Sequence, residues 1–313
     1  MKAPWAMTLL IMGLAVAGCD RGAPVPVIGG VELAGSIRLD GLRHDYLLFS
    51  PHAGAEDQPL IVSLHGGGGD ARVFDAFTGM RAHARRNGYA VLTPDGFQRT
   101  WNAGGCCDPA AREGVDHVAV IRAVVAEAMR TIDVDSRRVY VTGHSNGGMM
   151  AYRLACEAAD LFAAAAPVAA FQMTENADDA PVTTAYECNP VRPVPILHIH
   201  GESDQCAPFE GGPSAGPAGG QRPAVADSID FWVRHNDCQV PPRGSSFTSG
   251  DARCDVHTGC AQMAQVELCT VSSGGHVWPG TGQNPLGSVC GGTGVTVLDA
   301  NSRIWDFFRG HTL

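Results

Sequence analysis

The sequence predicts an α/β domain, a mainly parallel central sheet with helices on both faces. Two observations predict it. Apolar runs of strand length alternate with longer segments whose apolar residues recur at helical spacing, the order that builds parallel sheets through right-handed crossovers. One strand-to-helix junction, Gly143-His144-Ser145-Asn146-Gly147, has the form of a tight turn that raises a serine above such a sheet. An apolar content of 45% with 17% charged residues fits a chain that buries a large core.

The N-terminus reads as an export signal. Met1-Lys2 precedes an apolar stretch from Ala6 to Ala17, too short to span a bilayer as a helix. Val16-Ala17-Gly18-Cys19 resembles a bacterial lipobox, which makes residues 1–18 a lipoprotein-type signal peptide and Cys19 the lipidated first residue. The alternative is an ordinary secretory signal with a chance cysteine. Residues 19–34, rich in proline and glycine, read as a flexible tether, and 35–313 as the catalytic domain.

Ser36 to Ser50 alternates as an antiparallel edge. Pro59 to Leu64 is continuously apolar, as a strand buried on both faces must be. A helix is expected from Asp70 to Asn87, then a strand at Tyr89–Thr93 and a helix from Val115 to Ile132 with Val118, Ile121, Val125 and Met129 on one face. The strand at Arg138–Thr142 leads into the serine turn and a helix through Met149. An apolar run at Ala163–Ala170, a strand at Pro195–His200, a helix at Val225–His235, a last clear strand at Val266–Val271 and a terminal helix around Ile304–Phe308 complete the pattern. Gly211 to Pro223 reads as a loop. The chain stops soon after its last helix, so an appended binding module is not expected.

Charge and composition exclude several functions. The net charge of −10 argues against nucleic acid as a partner. The only lysine is Lys2, in the leader, which excludes a Schiff-base lysine, a Ser-Lys dyad and a P-loop from the mature chain. Without Cys19 ten cysteines remain, an even number that, with export, implies an oxidising compartment and up to five disulfides. The adjacent Cys106 and Cys107 are expected to bond to different partners.

A nucleophilic serine needs a base and an anion to orient that base. In α/β-hydrolases these follow in the order serine, acid, histidine, each on a loop at a strand's C-terminal end. Asp204 follows the Pro195–His200 strand and His276 follows the Val266–Val271 strand. Glu202 competes for the acid role, but Asp204 lies farther into the loop. His235 falls in a helix, His257 in a cysteine-rich loop and His311 at the terminus. Two N–H donors must meet the developing oxyanion. Asn146 supplies one from its backbone, and His65-Gly66-Gly67-Gly68 resembles the loop that supplies the other from Gly67 or Gly68. His198-x-His200 places two imidazoles on one face of a strand, but a third metal ligand is missing, so packing is the preferred reading.

Five ordered motifs carry a family resemblance: Pro94-Asp95-Gly96, Trp101-Asn102-Ala103-Gly104, Gly143 through Met150, Ala166-Pro167-Val168 and Gly275-His276-Val277-Trp278-Pro279-Gly280. The chain resembles the secreted poly(3-hydroxybutyrate) depolymerase and feruloyl esterase family of α/β-hydrolases over roughly residues 35 to 313. The resemblance implies Ser145, Asp204 and His276 as the triad, no metal or organic cofactor, and a Trp101 loop that lines the site. By the same analogy Cys238 pairs with Cys260. One departure is His117, where the family more often has a second consecutive acid after Asp116; any contact of that acid is in doubt. Trp101 and Trp278 are candidates for an aromatic wall, or else buried framework, and His144 is a further candidate substrate contact.

The resulting expectation is an exported serine carboxylic ester hydrolase. Its substrates are feruloyl- or acetyl-type esters of plant polysaccharide, or alternatively poly(3-hydroxybutyrate) or its oligomers. A serine peptidase and a non-catalytic binding lipoprotein are less favoured. Its contact with a membrane runs only through a lipidated Cys19, otherwise it is secreted; the oligomeric state is left open.

Overall fold

Asp40 and Gly41, with φ of 50° and 79°, turn the chain in the two-residue hairpin that positive φ at both positions allows. They join β2 (Gly30–Leu39) to β3 (Leu42–Ser50), and β1 (Val25–Val27) adds to the outside of β2. The computed structural model describes residues 25–27, 30–52, 54, 56–173, 186–239, 244–282, 287–294 and 297–313. The segment read as a signal peptide, residues 1–18, and Cys19 lie outside the described residues. Two pieces of the span read as a tether, 25–27 and 30–34, are strand, because each finds a partner strand that composition alone does not reveal.

β4 (Gln58–Leu64) is buried at all seven positions, as its unbroken apolar run requires. The segment expected as one helix is two. Asp70 caps α1 (Ala71–Thr78) by accepting the Val73 N–H at 2.9 Å, and Gly79, at φ 63°, ends it and starts α2 (Met80–Asn87). β5 (Ala90–Pro94) follows. Asp116 caps α3 (His117–Thr131), and then come β6 (Val134–His144), α4 (Asn146–Glu157), β7 (Ala164–Val168) and β8 (Ile196–Gly201). The Gly211–Pro223 loop holds only the two-residue strands β9 (Gly212–Pro213) and β10 (Gln221–Arg222). α5 (Val225–His235), β11 (Gly244–Ser249), β12 (Ala252–His257), β13 (Val266–Val271), α6 (Gly287–Cys290) and α7 (Ala300–Phe308) complete the chain.

Eleven of the described strands form one sheet in the order β1-β2-β3-β5-β4-β6-β7-β8-β13-β12-β11, and β9 and β10 pair separately. The stretch from β5 to β13 is parallel, and both ends are antiparallel. Strand alternation divides the core in two. Leu60, Val62 and Val141 face Ile121, Tyr152 and Trp232 of α3, α4 and α5. Ile61, Tyr140 and Leu197 face Phe74, Ala84 and Phe308 of α1, α2 and α7. This is the α/β-hydrolase arrangement the sequence predicts, with the C-terminal ends of β6, β8 and β13 at one edge.

Val266–Val271 is the last strand along the chain, as expected, but it does not form the edge of the sheet. The β11–β12 hairpin extends it, with polar residues that show no two-sided apolar run. Cys254 of β12 is bonded to Cys269, its register partner on β13. The other disulfides join Cys156 to Cys188, Cys206 to Cys290 and Cys238 to Cys260, the last as the resemblance implies. The expectation for Cys106 and Cys107 is corrected: they bond to each other, the other eight sulfurs being taken. Among the described residues no helix is long and apolar enough to cross a membrane.

Candidate active site

Ser145 sits between β6 and α4 with φ of 55°, a conformation that costs a non-glycine residue free energy and is held here by its surroundings. Its N–H donates to Val168 O at 2.9 Å and its carbonyl accepts the Met149 N–H at 2.9 Å, tying the turn to β7 and to the first turn of α4. The flanking glycines leave no choice of residue. A Cβ on Gly147 would stand 2.2 Å from Leu64 O, and one on Gly143 would stand 2.4 Å from Gly147 O. The Ser145 side chain is partly exposed.

Asp204 and His276 meet on the loops that leave β8 and β13. His276 Nδ1 donates to Asp204 Oδ2 at 2.7 Å, which assigns the ring proton to Nδ1 and leaves Nε2 as an acceptor. Asp204 Oδ1 accepts the N–H groups of Cys206 and Ala207, both at 2.8 Å. Burial pushes the Asp204 carboxyl up, but the hydrogen bond and charge of His276, with His200 and the Ala207 N–H, outweigh it and hold the group below its ordinary value. The two loops are stitched together by the Cys206–Cys290 disulfide and by Ser203 N–H to Gly274 O at 2.9 Å. Glu202, the competing acid, is exposed. His235 lies in α5, His257 ends β12 and His311 follows α7, away from this pair in the topology.

His144 connects the pair to the serine. Its ring centroid is 4.8 Å from that of His276, and Phe77 packs on it at 6.1 Å. Burial, with the neighbouring His276 adding, pushes the His144 imidazole down to about 3, so it is neutral at any physiological pH. The structure therefore brings Ser145, His144, His276 and Asp204 to one edge of the sheet.

The glycine loop approaches from β4. Gly68 N–H is already used, donating to Arg99 O at 2.8 Å, so of the two candidate donors only Gly67 is left to face an oxyanion. A Cβ on Gly67 would lie 3.7 Å from Asn146 Cβ, which places it beside the first residue of α4. The Asn146 side chain is locked: Oδ1 accepts Trp101 N–H at 2.7 Å and Nδ2 donates to Trp101 O at 3.0 Å.

The Esterase PHB depolymerase family matches residues 44–202, from β3 to the exit of β8, just over half the chain and including Ser145. The chain belongs to that family. A putative esterase, NocK, from Nocardia uniformis subsp. tsuyamanensis is 31% identical over 93% of this chain and 87% of its own length. Feruloyl esterase B from Piromyces equi is 31% identical over 72% of this chain, which spans only 41% of that longer relative. The solved acetyl xylan esterase from Aspergillus awamori superposes with a TM-score of 0.54 at 14% identity, covering 75% of this chain and 89% of the other, a likeness of fold.

Of the two readings of the tryptophans, aromatic wall or buried framework, their burial favours the second. Trp101 and Trp278 are both 0% exposed and offer no face to a ligand. Trp101 is a clamp, its Nε1–H donating to His65 O at 2.8 Å while its backbone holds Asn146. Trp278 donates from Nε1 to Asn301 Oδ1 at 3.1 Å and meets Phe74 edge-on.

Two residues absent from the sequence-based site hold this clamp. His65 Nδ1 donates to Gly66 O and Nε2 accepts the Gly96 N–H at 2.9 Å. His117 stands where the family more often has an acid, and both its nitrogens face donors: Phe97 N–H at 3.2 Å and Asn102 N–H at 3.0 Å. A neutral imidazole has one acceptor nitrogen and satisfies one of them at a time. The contact left in doubt by the sequence is thus an anchor of the Trp101 loop. Each of the four ring nitrogens of the His198–His200 pair lies within 2.9 Å of a hydrogen-bond partner, the arrangement of a packed pair.

Proposed function

We propose that the chain is an exported serine carboxylic ester hydrolase in which Ser145, His276 and Asp204 act as a triad. The observation that carries this reading is the 2.7 Å His276–Asp204 hydrogen bond, formed one imidazole away from a serine on a strained turn. His276 Nε2 takes the Ser145 hydroxyl proton as the oxygen attacks the ester carbonyl. The N–H groups of Asn146 and Gly67 receive the oxyanion, and His276 returns the proton to the departing alcohol. Water then attacks the acyl-enzyme with the same roles reversed. These residues complete the reaction without drawing on a metal or an organic cofactor.

Feruloyl and acetylxylan esterases among the chain's relatives favour feruloyl or acetyl esters of plant polysaccharide as substrates, and the family's own description favours a second reading, poly(3-hydroxybutyrate) or its oligomers. Side-by-side kcat/KM values on methyl ferulate, acetylated xylan, a hydroxybutyrate oligomer and a chromogenic peptide decide between them. One of the first two is expected to exceed the oligomer by at least about tenfold, a difference of ~1.4 kcal/mol in transition-state binding. The opposite order assigns the second reading, and turnover of the peptide alone overturns both.

Export is supported by the ten cysteines of the mature chain closing into five disulfides. Lipidation of Cys19 is expected to hold the protein in the membrane fraction, and Cys19→Ser to release it to the soluble fraction. A Cys19→Ser chain that stays with the membranes removes the anchor from the proposal.

A further inference from the structure

A buried line of hydrogen bonds runs from α4 across β8 to the residue that grips Asp204. Tyr152 Oη lies 2.6 Å from His198 Nδ1, and His198 Nε2 lies 2.9 Å from His200 Nδ1. His200 Nε2 lies 2.8 Å from Ala207 O, and the N–H of that same Ala207 donates to Asp204 Oδ1 at 2.8 Å. Tyr152, His198, His200 and Ala207 are all buried.

Chemistry gives this line one direction. A carbonyl only accepts, so His200 carries its proton on Nε2 and accepts at Nδ1. His198 must then carry its proton on Nε2 and accept at Nδ1, and the Tyr152 hydroxyl must donate. Each donor meets an acceptor, and a second proton on either ring would require a neighbouring group to reverse its hydrogen bond. Burial pushes both histidines below their ordinary value, in keeping with two neutral rings. The near-parallel rings of His198 and His200, 5.1 Å apart, and Phe209 edge-on to His200 at 5.9 Å hold the line in register.

The line ends on both sides of the carboxylate. Through Ala207 it reaches Oδ1, and His200 Nε2 itself stands 3.6 Å from Oδ2, the oxygen that accepts from His276. That distance is too long for a hydrogen bond but short enough for the proton-bearing edge of the ring to be felt.

We propose that Tyr152, His198 and His200 are positioning residues for Asp204: a one-way hydrogen-bond chain that fixes the Ala207 segment around one carboxylate oxygen and sets a neutral, proton-bearing nitrogen beside the other. The proposal rests on Asp204 being the acid of the esterase mechanism above. The titratable groups facing Asp204 are His276 from the loop after β13, His144 from β6 and His200 from β8. Tyr152 faces Tyr186 and hydrogen-bonds Ser228 of α5, which also accepts the Gln172 N–H. The chain is therefore anchored at its far end as well.

The test compares Tyr152→Phe, His200→Leu and His200→Gln with wild type and with Asp204→Asn, reading kcat, KM, the pH profile of kcat/KM and the melting temperature. Tyr152→Phe, nearly isosteric, removes the donor at the head of the line and leaves the buried His198 Nδ1 without that partner; it lowers kcat about three- to tenfold with KM within about twofold. The acid limb of kcat/KM moves to higher pH, because a carboxylate held by fewer donors favours a proton on the Asp204–His276 pair. His200→Leu lowers kcat by at least about 30-fold, and His200→Gln returns to within about fivefold of wild type, since its amide can donate to Ala207 O and accept from His198. A Tyr152→Phe protein with wild-type kcat and pH profile, whatever its melting temperature, overturns the proposal. So does a His200→Gln protein as slow as His200→Leu. Should His200→Leu not fold, Tyr152→Phe decides alone. Asp204→Asn retaining wild-type activity would instead bring down the underlying mechanism, so the two failures are distinguishable.

Discussion

Replacing Ser145 by alanine is expected to lower kcat on p-nitrophenyl acetate by about 10⁵- to 10⁶-fold, the scale of loss on removing the nucleophile of a serine triad. The same change is expected to abolish covalent labelling by a fluorophosphonate. The reason lies in the division of labour at the site. The Asn146 and Gly67 N–H groups and the substrate contacts survive the substitution, so a residual acceleration over water remains, but no acyl-enzyme can form. The turn itself is held by Ser145 backbone bonds to Val168 and Met149, which alanine keeps. The variant is therefore expected to retain the wild-type circular dichroism spectrum. A folded Ser145→Ala protein with more than about 1% of wild-type kcat would remove Ser145 as nucleophile.

The second large effect is expected from Asp204→Asn, a loss of about 10⁴-fold in kcat with little change in KM. One side-chain oxygen would stay on the N–H groups of Cys206 and Ala207, which turns the new amide nitrogen towards His276. An amide N–H facing Nδ1 makes that nitrogen an acceptor and moves the ring proton to Nε2. The imidazole then has nothing with which to take the serine proton, although every atom stays near its place. Glu202→Gln, changing an exposed side chain in the same loop, is the control and is expected to leave kcat within about twofold. Reversal of these two outcomes would transfer the acid role to Glu202.

How much of this was legible depended on which physics left a trace in local sequence. β4, β8, most of β13 and the Val139–Gly143 half of β6 are buried and read as strands; the serine turn and its neighbours show their glycines because backbone packs against backbone there. Chain order then placed Asp204 and His276. The β11–β12 hairpin escaped because a polar edge strand is stabilised by its partner and by Cys254–Cys269, neither of which is a local pattern. Trp101 and Trp278 were ambiguous because an aromatic beside a site has the same sequence signature whether it touches substrate or holds the wall. The role of His117 was hidden for a related reason: only the fold shows that two backbone N–H groups converge on its ring. The choice between Gly67 and Gly68 likewise turned on Arg99, some thirty residues away.

The Cys206–Cys290 bond makes assembly of the Asp204–His276 pair depend on where the chain is. It closes a loop of 84 residues around the two segments that carry the pair, a constraint worth roughly 4–5 kcal/mol by chain entropy. In a reducing cytosol that constraint is missing, and the acid and histidine loops lose the covalent tie between them. The reduced chain is therefore expected to turn over p-nitrophenyl acetate more slowly than the oxidised one, a difference that assays before and after treatment with dithiothreitol read directly.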